Sequence, residues 1–164
     1  MDLFILRHGK AGQSPDGGNE AARVLTADGM AEIKKVARWM QSKKYEFSVI
    51  ATSPLARAYE TAEIIARSLD QQDRLTIWDE LAPGGDRGVV CRRVAQYGEQ
   101  ASVLLVGHEP ALSMLISTII SGDDDSSIIL AKGGLAKIRN YSCINRPSGD
   151  LQWLLTPRQM TGKR

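Results

Sequence analysis

Short apolar runs alternate along the chain with longer segments in which apolar residues recur every three or four positions. The runs have the length and composition of strands. They predict strands at residues 2–7, 48–53, 75–78, 102–106, 135–141 and 151–155. The last two runs are joined by residues 145–149, which are rich in turn-forming types, so this pair is expected to form an antiparallel hairpin.

The segments between the strands predict helices. Thr26 is a candidate N-cap for the first helix, and Pro54 is expected in the first turn of the second. A third helix is predicted near residues 88–97, and a fourth from Pro110 until Gly122 stops it. Strands alternating with helices predict an α/β fold, a three-layer sandwich with a mostly parallel central sheet and an antiparallel C-terminal part. The basic tail, residues 158–164, is expected to be frayed.

The composition is typical of a globular protein and argues against some classes of partner. The 164 residues, 43% hydrophobic and 24% charged, fit one globular domain spanning residues 1–164. A net charge of +2 without a basic patch argues against a nucleic-acid partner. No apolar run has the length of a membrane span or a signal peptide, and Cys91 and Cys143 stand apart. A cytoplasmic protein with reduced cysteines and no membrane partner is therefore expected.

Both histidines of the chain stand where a predicted strand ends. His8 follows residues 2–7, and His108 follows the strand that ends near Val106. In an open parallel sheet the carboxyl ends of the strands border one crevice, where ligands bind. The two imidazoles are therefore expected to meet there although they are 100 positions apart. Arg7 beside His8 points to phosphate chemistry.

Three sequence segments share this location at strand ends. They are Arg7-His8-Gly9, the run Ser-Pro-Leu-Ala-Arg-Ala-Tyr-Glu-Thr at residues 53–61, and Gly107-His108. Together they resemble the histidine phosphatase superfamily, which has the phosphoglycerate-mutase-like fold. In that family the first motif supplies a nucleophilic histidine, the second an arginine and the third another histidine. Glu60 stands where the family often has glutamine.

Within this superfamily the chain most resembles the SixA-type phosphohistidine phosphatases. Arg23 begins a segment, Arg-Val-Leu-Thr, that is similar to their Arg-Pro-Leu-Thr, and residues 80–86 are similar to their Glu-Leu-x-Pro-x-Gly-Asp. Only about 30 residues separate Trp78 from His108, so the large helical insertion that roofs the active site of many relatives is absent. An open pocket is expected, which suits a phosphohistidine on a partner protein.

The resemblance implies a role for each site residue. His8 is expected to attack phosphorus, while Arg7 and Arg57 hold the phosphoryl oxygens. His108, when protonated, adds a further cationic donor. Glu80 matches the family's proton donor to the leaving group, and Arg23 is expected at the rim of the pocket. Two arginines and an imidazolium can stabilise the charge that a metal ion neutralises elsewhere, so no metal and no cofactor are expected.

Three other functions remain open at this point. A phosphatase of the same superfamily could act on a small phosphomonoester, such as a sugar or nucleotide phosphate. A domain that binds phosphoryl groups without turnover would be expected to lack one of the four core groups, all of which are present. The Asp123-x-Asp125 pair could indicate a magnesium-dependent aspartyl phosphatase, but a predicted helix rather than a buried strand precedes it. The partner protein and the oligomeric state are left open.

Overall fold

One mixed sheet of six strands forms the centre of the protein. The computed structural model describes residues 1–15 and 17–162. The strands in this part are β1 (Asp2–Arg7), β2 (Val49–Thr52), β3 (Leu75–Ile77), β4 (Ser102–Gly107), β5 (Leu135–Cys143) and β6 (Pro147–Leu155). Their order across the sheet is β3-β2-β4-β1-β5-β6. The first four in this order pair in parallel, and β5 is antiparallel to both β1 and β6, which confirms the predicted mixed sheet.

Helices cover both faces of this sheet. They are α1 (Ala27–Ser42), α2 (Ala56–Ser68), α3 (Arg87–Ala95), α4 (Ala111–Ser121) and α5 (Pro157–Thr161). Because successive side chains of a strand point to opposite faces, β1 contributes to two apolar cores. Leu3 and Ile5 pack with α3 and α4, whereas Phe4 and Leu6 pack with α1, α2 and α5. The predicted three-layer α/β sandwich is confirmed.

Several element boundaries differ from the prediction; the third helix, for example, spans Arg87–Ala95 rather than residues 88–97. Helix α2 begins at Ala56 rather than at Pro54, because the Leu55 backbone is extended at φ −68° and ψ 137° and its N–H donates to Ser53 Oγ at 3.2 Å. The C-terminal hairpin is longer than predicted, since Cys143 pairs with Pro147 across it. Register shifts in this hairpin interrupt the regular alternation from which the strand ends were predicted.

The expectation of a frayed tail is wrong as far as Gly162. Thr156 and Gln159 form a capping box that closes the first turn of α5, and Met160 is buried against the core. The helix is therefore held by both a cap and a hydrophobic contact. Residues 163 and 164 lie outside the described residues.

Strand register brings the two histidines to the same edge of the sheet. Arg7 of β1 pairs with Gly107 of β4, and the backbone N–H of His8 donates to the Gly107 carbonyl at 3.1 Å. A Cβ at Gly9 would lie 2.7 Å from Ile33 Cγ1, so the close approach of α1 requires glycine after His8. No helix in the described ranges is long and apolar enough to span a membrane.

Candidate active site

The three motif segments meet at the carboxyl edge of the parallel strands. The ring centroids of His8 and His108 are 5.1 Å apart, and Arg57 Nε lies 3.4 Å from His8 Nε2. All three side chains are more than nine-tenths buried. Arg7 precedes His8 at the end of β1. The structure therefore brings together the four residues that the sequence analysis predicted for the core of the site.

Hydrogen bonds determine which nitrogen of His8 carries the proton. Nδ1 lies 2.7 Å from the carbonyl oxygen of Gly9, which can only accept, so Nδ1 is protonated. Nε2 then holds the free electron pair, and it is this atom that faces the guanidinium of Arg57. A neutral imidazole oriented in this way presents a nucleophilic nitrogen beside a cationic group.

Ser53 orients the second histidine. Its Oγ lies 2.8 Å from His108 Nε2 and also accepts the backbone N–H of Leu55. The other ring nitrogen, His108 Nδ1, is buried and has no protein partner among the described residues. Ser53 was part of the recognised motif, but nothing in the sequence pattern indicated its contact with His108, since 55 positions separate them.

Thr61 connects Arg57 to the backbone beside His8. Its hydroxyl donates to the Arg57 carbonyl at 2.7 Å and accepts the Gly9 N–H at 3.1 Å. One turn of α2 is thereby attached to the end of β1. Glu60, the departure from the family pattern, accepts the Leu25 N–H at 2.8 Å and so fastens the segment before α1 to the same helix. Neither contact was predicted from the sequence.

Glu20 lies against both Arg57 and Arg23. Its backbone carbonyl accepts from Arg57 Nη1 at 2.8 Å, and its carboxylate is 3.0 Å from Arg23 Nη1 and 4.0 Å from Arg57 Nη2. The Nε of Arg23 donates to the Gly12 carbonyl at 2.8 Å. Arg23 thus shares Glu20 with the buried Arg57, and its expected place at the rim of the pocket stays a prediction. Glu20 was missed because the loop before it carries no recognisable motif.

The segment before β5 contacts Arg7 and His8 from the other side. Arg7 Nη1 donates to the Leu130 carbonyl at 3.0 Å, and the Gly133 N–H lies 3.1 Å from the carbonyls of both Arg7 and His8. Between these anchors lies Lys132, which is exposed. Its charge contributes to lowering the pKa of His8. No functional residue was predicted in this segment from the sequence.

Glu80 lies on the short 3₁₀ turn Asp79–Leu81, which packs at the end of β4. Its carboxylate accepts from Arg93 Nη1 at 2.8 Å, and the Arg93 guanidinium stacks on the Trp78 ring at 4.2 Å from the ring centre. The contacts of Glu80 are therefore to α3 and not to the histidines. Its predicted role as a proton donor stays a prediction.

Burial determines the charge of the two histidines. Desolvation, joined by the nearby charges of Arg57 and Arg7 and opposed by the hydrogen bond to the Gly9 carbonyl, lowers the pKa of His8 to about 4. Desolvation, followed by His8 and the same arginines, lowers the pKa of His108 to about 3. Both rings are therefore neutral at pH 7. The surroundings of His108 therefore disfavour, at pH 7, the protonated form considered from the sequence.

We expect acid to destabilise the fold through these histidines. In the unfolded chain each imidazole binds a proton near pH 6.5, whereas the folded pKa values are about 4 and about 3. The unfolded state thus holds more protons in this window. The stabilisation is complete above pH 6.5 and is lost as the pH falls toward 4, with His8 alone contributing on the order of 2 kcal/mol. Denaturant titrations at pH 7 and pH 4.5 measure this loss.

A double variant, His8→Gln with His108→Gln, is the control for the acid titration. Carboxyl groups titrate in the same range, and the double variant keeps their contribution while removing both imidazoles. Its unfolding free energy should fall less between the two pH values than that of the parent. An equal fall in both proteins would contradict the assignment.

The acidic loop after α4, residues 123–125, is an exposed turn on the surface. Gly122 ends the helix in the left-handed conformation, and Asp124 pairs with Arg87 at 2.9 Å. Asp123 and Asp125 are exposed. In residues 1–15 and 17–162, no three histidine, cysteine or acidic side chains are grouped so that they could hold a metal ion.

The sequence is similar to those of known phosphatases. A profile of the histidine phosphatase superfamily (branch 1) matches residues 3–83. The chain is 31% identical to the phosphohistidine phosphatase SixA of Escherichia coli (strain K12) over 159 residues, covering 96% of this chain and 94% of that protein.

Solved structures extend the comparison to the fold. The structure of the protein histidine phosphatase SixA complexed with tungstate superposes with a TM-score of 0.82 at 27% identity, covering 96% of this chain and 97% of the other. The alpha-ribazole phosphatase of Shigella flexneri has the same fold, with a TM-score of 0.75 at 20% identity over 96% of this chain and 97% of its own. The motifs, the site geometry and these similarities together show that the chain belongs to the histidine phosphatase superfamily.

Proposed function

We propose that this protein is a phosphohistidine phosphatase that removes the phosphoryl group from a histidine of a partner protein. The observation that carries the proposal is the unprotonated Nε2 of His8, held beside the guanidinium of Arg57 and facing the second imidazole. Identity of 31% over nearly the whole length to a phosphohistidine phosphatase of Escherichia coli supports it.

A neutral imidazole suits attack on a phosphoryl group. The phosphoryl oxygens carry nearly two negative charges, which would repel an anionic nucleophile. His8 is uncharged at neutral pH because its pKa is lowered to about 4. Its Nδ1–H remains bonded to the Gly9 carbonyl, so the imidazolium that develops during attack is stabilised on the side away from phosphorus.

Arg7, Arg57 and His108 form the proposed phosphoryl clamp. The guanidinium groups can each donate two parallel hydrogen bonds to phosphoryl oxygens. A bound dianion would also favour protonation of His108, whose pKa is held low by burial and by neighbouring positive charge. Such a clamp stabilises charge on the equatorial oxygens in the transition state, where preorganised donors contribute most.

Two displacements complete the proposed reaction. His8 Nε2 forms a bond to phosphorus while the phosphorus–nitrogen bond of the substrate breaks, and the released imidazole of the partner protein takes up a proton from water. A second water then attacks the phosphohistidine on His8, the bond from phosphorus to Nε2 breaks, and inorganic phosphate, the neutral ring and one proton to solvent result, which balances the proton taken up in the first step. Every group required for these steps is a side chain of this protein or water, so metal independence and the absence of a cofactor are part of the proposal.

Glu80 is proposed to matter only when the leaving group is poor. An alkoxide needs a proton as it leaves, whereas imidazole is a far better leaving group. We therefore expect Glu80→Gln to lower kcat/KM for phosphomonoesters about tenfold or more and to change phosphohistidine hydrolysis less. Steady-state kinetics on both substrate types measure the difference.

Glu63→Gln is the matched control for this prediction. Glu63 also pairs with an arginine, Arg67, at 3.0 Å, but on the exposed face of α2. Glu63→Gln should leave kcat/KM unchanged for both phosphomonoesters and phosphohistidine. Equal losses on both substrates in Glu80→Gln would assign Glu80 a structural role, through its contact with Arg93, in place of proton donation.

The short connection between β3 and β4 supports a protein substrate. Residues 79–101 form only a 3₁₀ turn, α3 and a loop, with no further helices to enclose a small molecule. A small phosphomonoester would gain little binding energy away from the reacting centre, and it would turn over slowly for that reason. A folded partner can supply that energy from the surface around its phosphohistidine.

A substrate panel tests the proposed function. Purified protein is assayed with a phosphotransfer domain phosphorylated on histidine and with sugar and nucleotide phosphates, each with and without EDTA. We expect the highest kcat/KM on the phosphohistidine protein and no loss with EDTA. A sugar or nucleotide phosphate with a higher kcat/KM than every phosphohistidine protein would favour the small-molecule alternative. Activity that is lost with EDTA and restored by magnesium would overturn metal independence.

A further inference from the structure

The loop of residues 127–134, between α4 and β5, is attached directly to the nucleophile segment. Arg7 Nη1 donates to the Leu130 carbonyl at 3.0 Å, the Gly133 N–H approaches the Arg7 and His8 carbonyls at 3.1 Å each, and the Arg7 N–H donates to the Gly134 carbonyl at 3.1 Å. Leu130 is 1% exposed and anchors the loop in the core. The loop is therefore held rigidly beside the residues that would bind and attack the phosphoryl group.

Two side chains on this anchored loop remain in solvent. Ile129 is 87% exposed although both neighbours, Ile128 and Leu130, pack against the core. Its Cα lies one peptide unit, about 3.8 Å, from that of Leu130, whose carbonyl contacts the Arg7 guanidinium. Lys132 is exposed and is bonded directly to Gly133, which contacts the His8 carbonyl. The loop that contacts Arg7 and His8 thus carries one exposed apolar and one exposed cationic side chain.

We propose that Ile129 and Lys132 form a docking surface for the partner protein around its phosphohistidine, an inference that rests on the proposed function. The partner presents an apolar side chain to Ile129 and a carboxylate to Lys132. The surface determines affinity for the protein substrate, and the chemistry stays with His8, Arg7, Arg57 and His108.

The position of these side chains indicates a protein as the occupant. The side chain of Ile129 is 87% exposed and has no donor for a phosphoryl oxygen, so a ligand that contacts it must offer apolar atoms in addition to the phosphoryl group. Apolar surface is unfavourable in water, so an exposed isoleucine contributes to binding affinity when a partner covers it. Because Leu130 and Gly133 hold the loop in place, binding would not require the loop to become ordered, which lowers the entropic cost of association.

The chain supplies matched controls for both side chains. Ile144 is 89% exposed, as Ile129 is, but it follows β5 at the far end of the hairpin, away from the residues paired with Leu6. Lys43 is an exposed lysine at the C-terminal end of α1. Ile144→Ser and Lys43→Gln therefore reproduce the chemical changes of Ile129→Ser and Lys132→Gln outside the proposed surface.

The experiment compares two substrates of the same chemistry. kcat/KM is measured for a phosphotransfer domain phosphorylated on histidine and for free phosphohistidine, and the ratio of the two values is the readout. We expect this ratio to fall about tenfold in Ile129→Ser and about threefold in Lys132→Gln, mainly through KM for the protein. The Lys132→Gln effect should shrink at high salt, whereas the Ile129→Ser effect should persist.

Each outcome decides between the proposals. Ratios that stay at the parent value in Ile144→Ser and Lys43→Gln but fall in the loop variants support the docking surface. An unchanged ratio in Ile129→Ser, or an equal fall in Ile144→Ser, overturns it while leaving the phosphatase function intact. A parent protein that hydrolyses phosphomonoesters but neither phosphohistidine substrate overturns the proposed function and the docking surface together.

Discussion

Replacing His8 with alanine is expected to lower the rate of phosphohistidine hydrolysis by at least about three orders of magnitude, the loss typical of removing a nucleophile. The variant keeps Arg7, Arg57 and His108, so it should still bind the phosphoryl group. The variant lacks the free electron pair at Nε2. In the parent, the Gly9 carbonyl keeps the proton on Nδ1, and Nε2 lies beside Arg57. Single-turnover kinetics with a phosphorylated partner protein measure the loss.

Trapping the intermediate provides a second readout for the same prediction. The chain contains two histidines, so acid-labile phosphate on the enzyme has two candidate sites. We expect label on the parent and on His108→Asn, and none on His8→Ala or on His8→Asn, which keeps more of the buried volume. Label that persists in the His8 variants, or turnover close to that of the parent, would rule out this nucleophile.

Removing the guanidinium of Arg57 should have the second largest effect. We expect Arg57→Ala to abolish measurable phosphate binding and to lower kcat/KM by at least about a hundredfold, as loss of a transition-state donor does. Arg57→Lys should recover little. In the parent, Nε approaches His8 Nε2 while Nη1 donates to the Glu20 carbonyl, and one ammonium cannot reach both with the same geometry.

Arg67→Lys is the matched control for the arginine prediction. Arg67 lies on the same helix, is 68% exposed and pairs with Glu63. Its replacement should leave phosphate binding and turnover unchanged. Titration calorimetry with inorganic phosphate, together with kcat/KM, separates binding from chemistry. Arg57→Lys with the activity of the parent would contradict a clamp that depends on the shape of the guanidinium.

Much of the architecture could be predicted from the chain because its local patterns agree with one another. The alternation in β1 places Leu3 and Phe4 in opposite cores, and the Thr26 side chain caps α1 by accepting the Gly29 N–H at 2.9 Å. The meeting of His8 with His108 followed from a general property of parallel sheets, whose strand ends share one edge. Helix and hairpin ends were predicted less well, because side-chain caps and register shifts between strands determine them.

The sequence also identified the side chains that are proposed to carry the chemistry, since His8, Arg57 and His108 lie in short motifs next to strand ends. It did not identify the groups that orient them. Ser53 contacts His108, and Glu20 contacts Arg57 from a loop that has no motif. Contacts of this kind join positions far apart in the chain, and no local pattern predicts them.

The charge state of the site is likewise a property of the folded molecule. An imidazole titrates near pH 6.5 in any unfolded chain, and only burial beside Arg7 and Arg57 lowers the pKa of His8 to about 4 and that of His108 to about 3. The same holds for the loop that presents Ile129 and Lys132, whose place beside His8 depends on hydrogen bonds across 123 positions, from Arg7 to Leu130. Residue types and strand ends can be read along the chain, whereas desolvation and long-range contacts exist only after packing has removed water and brought distant groups together.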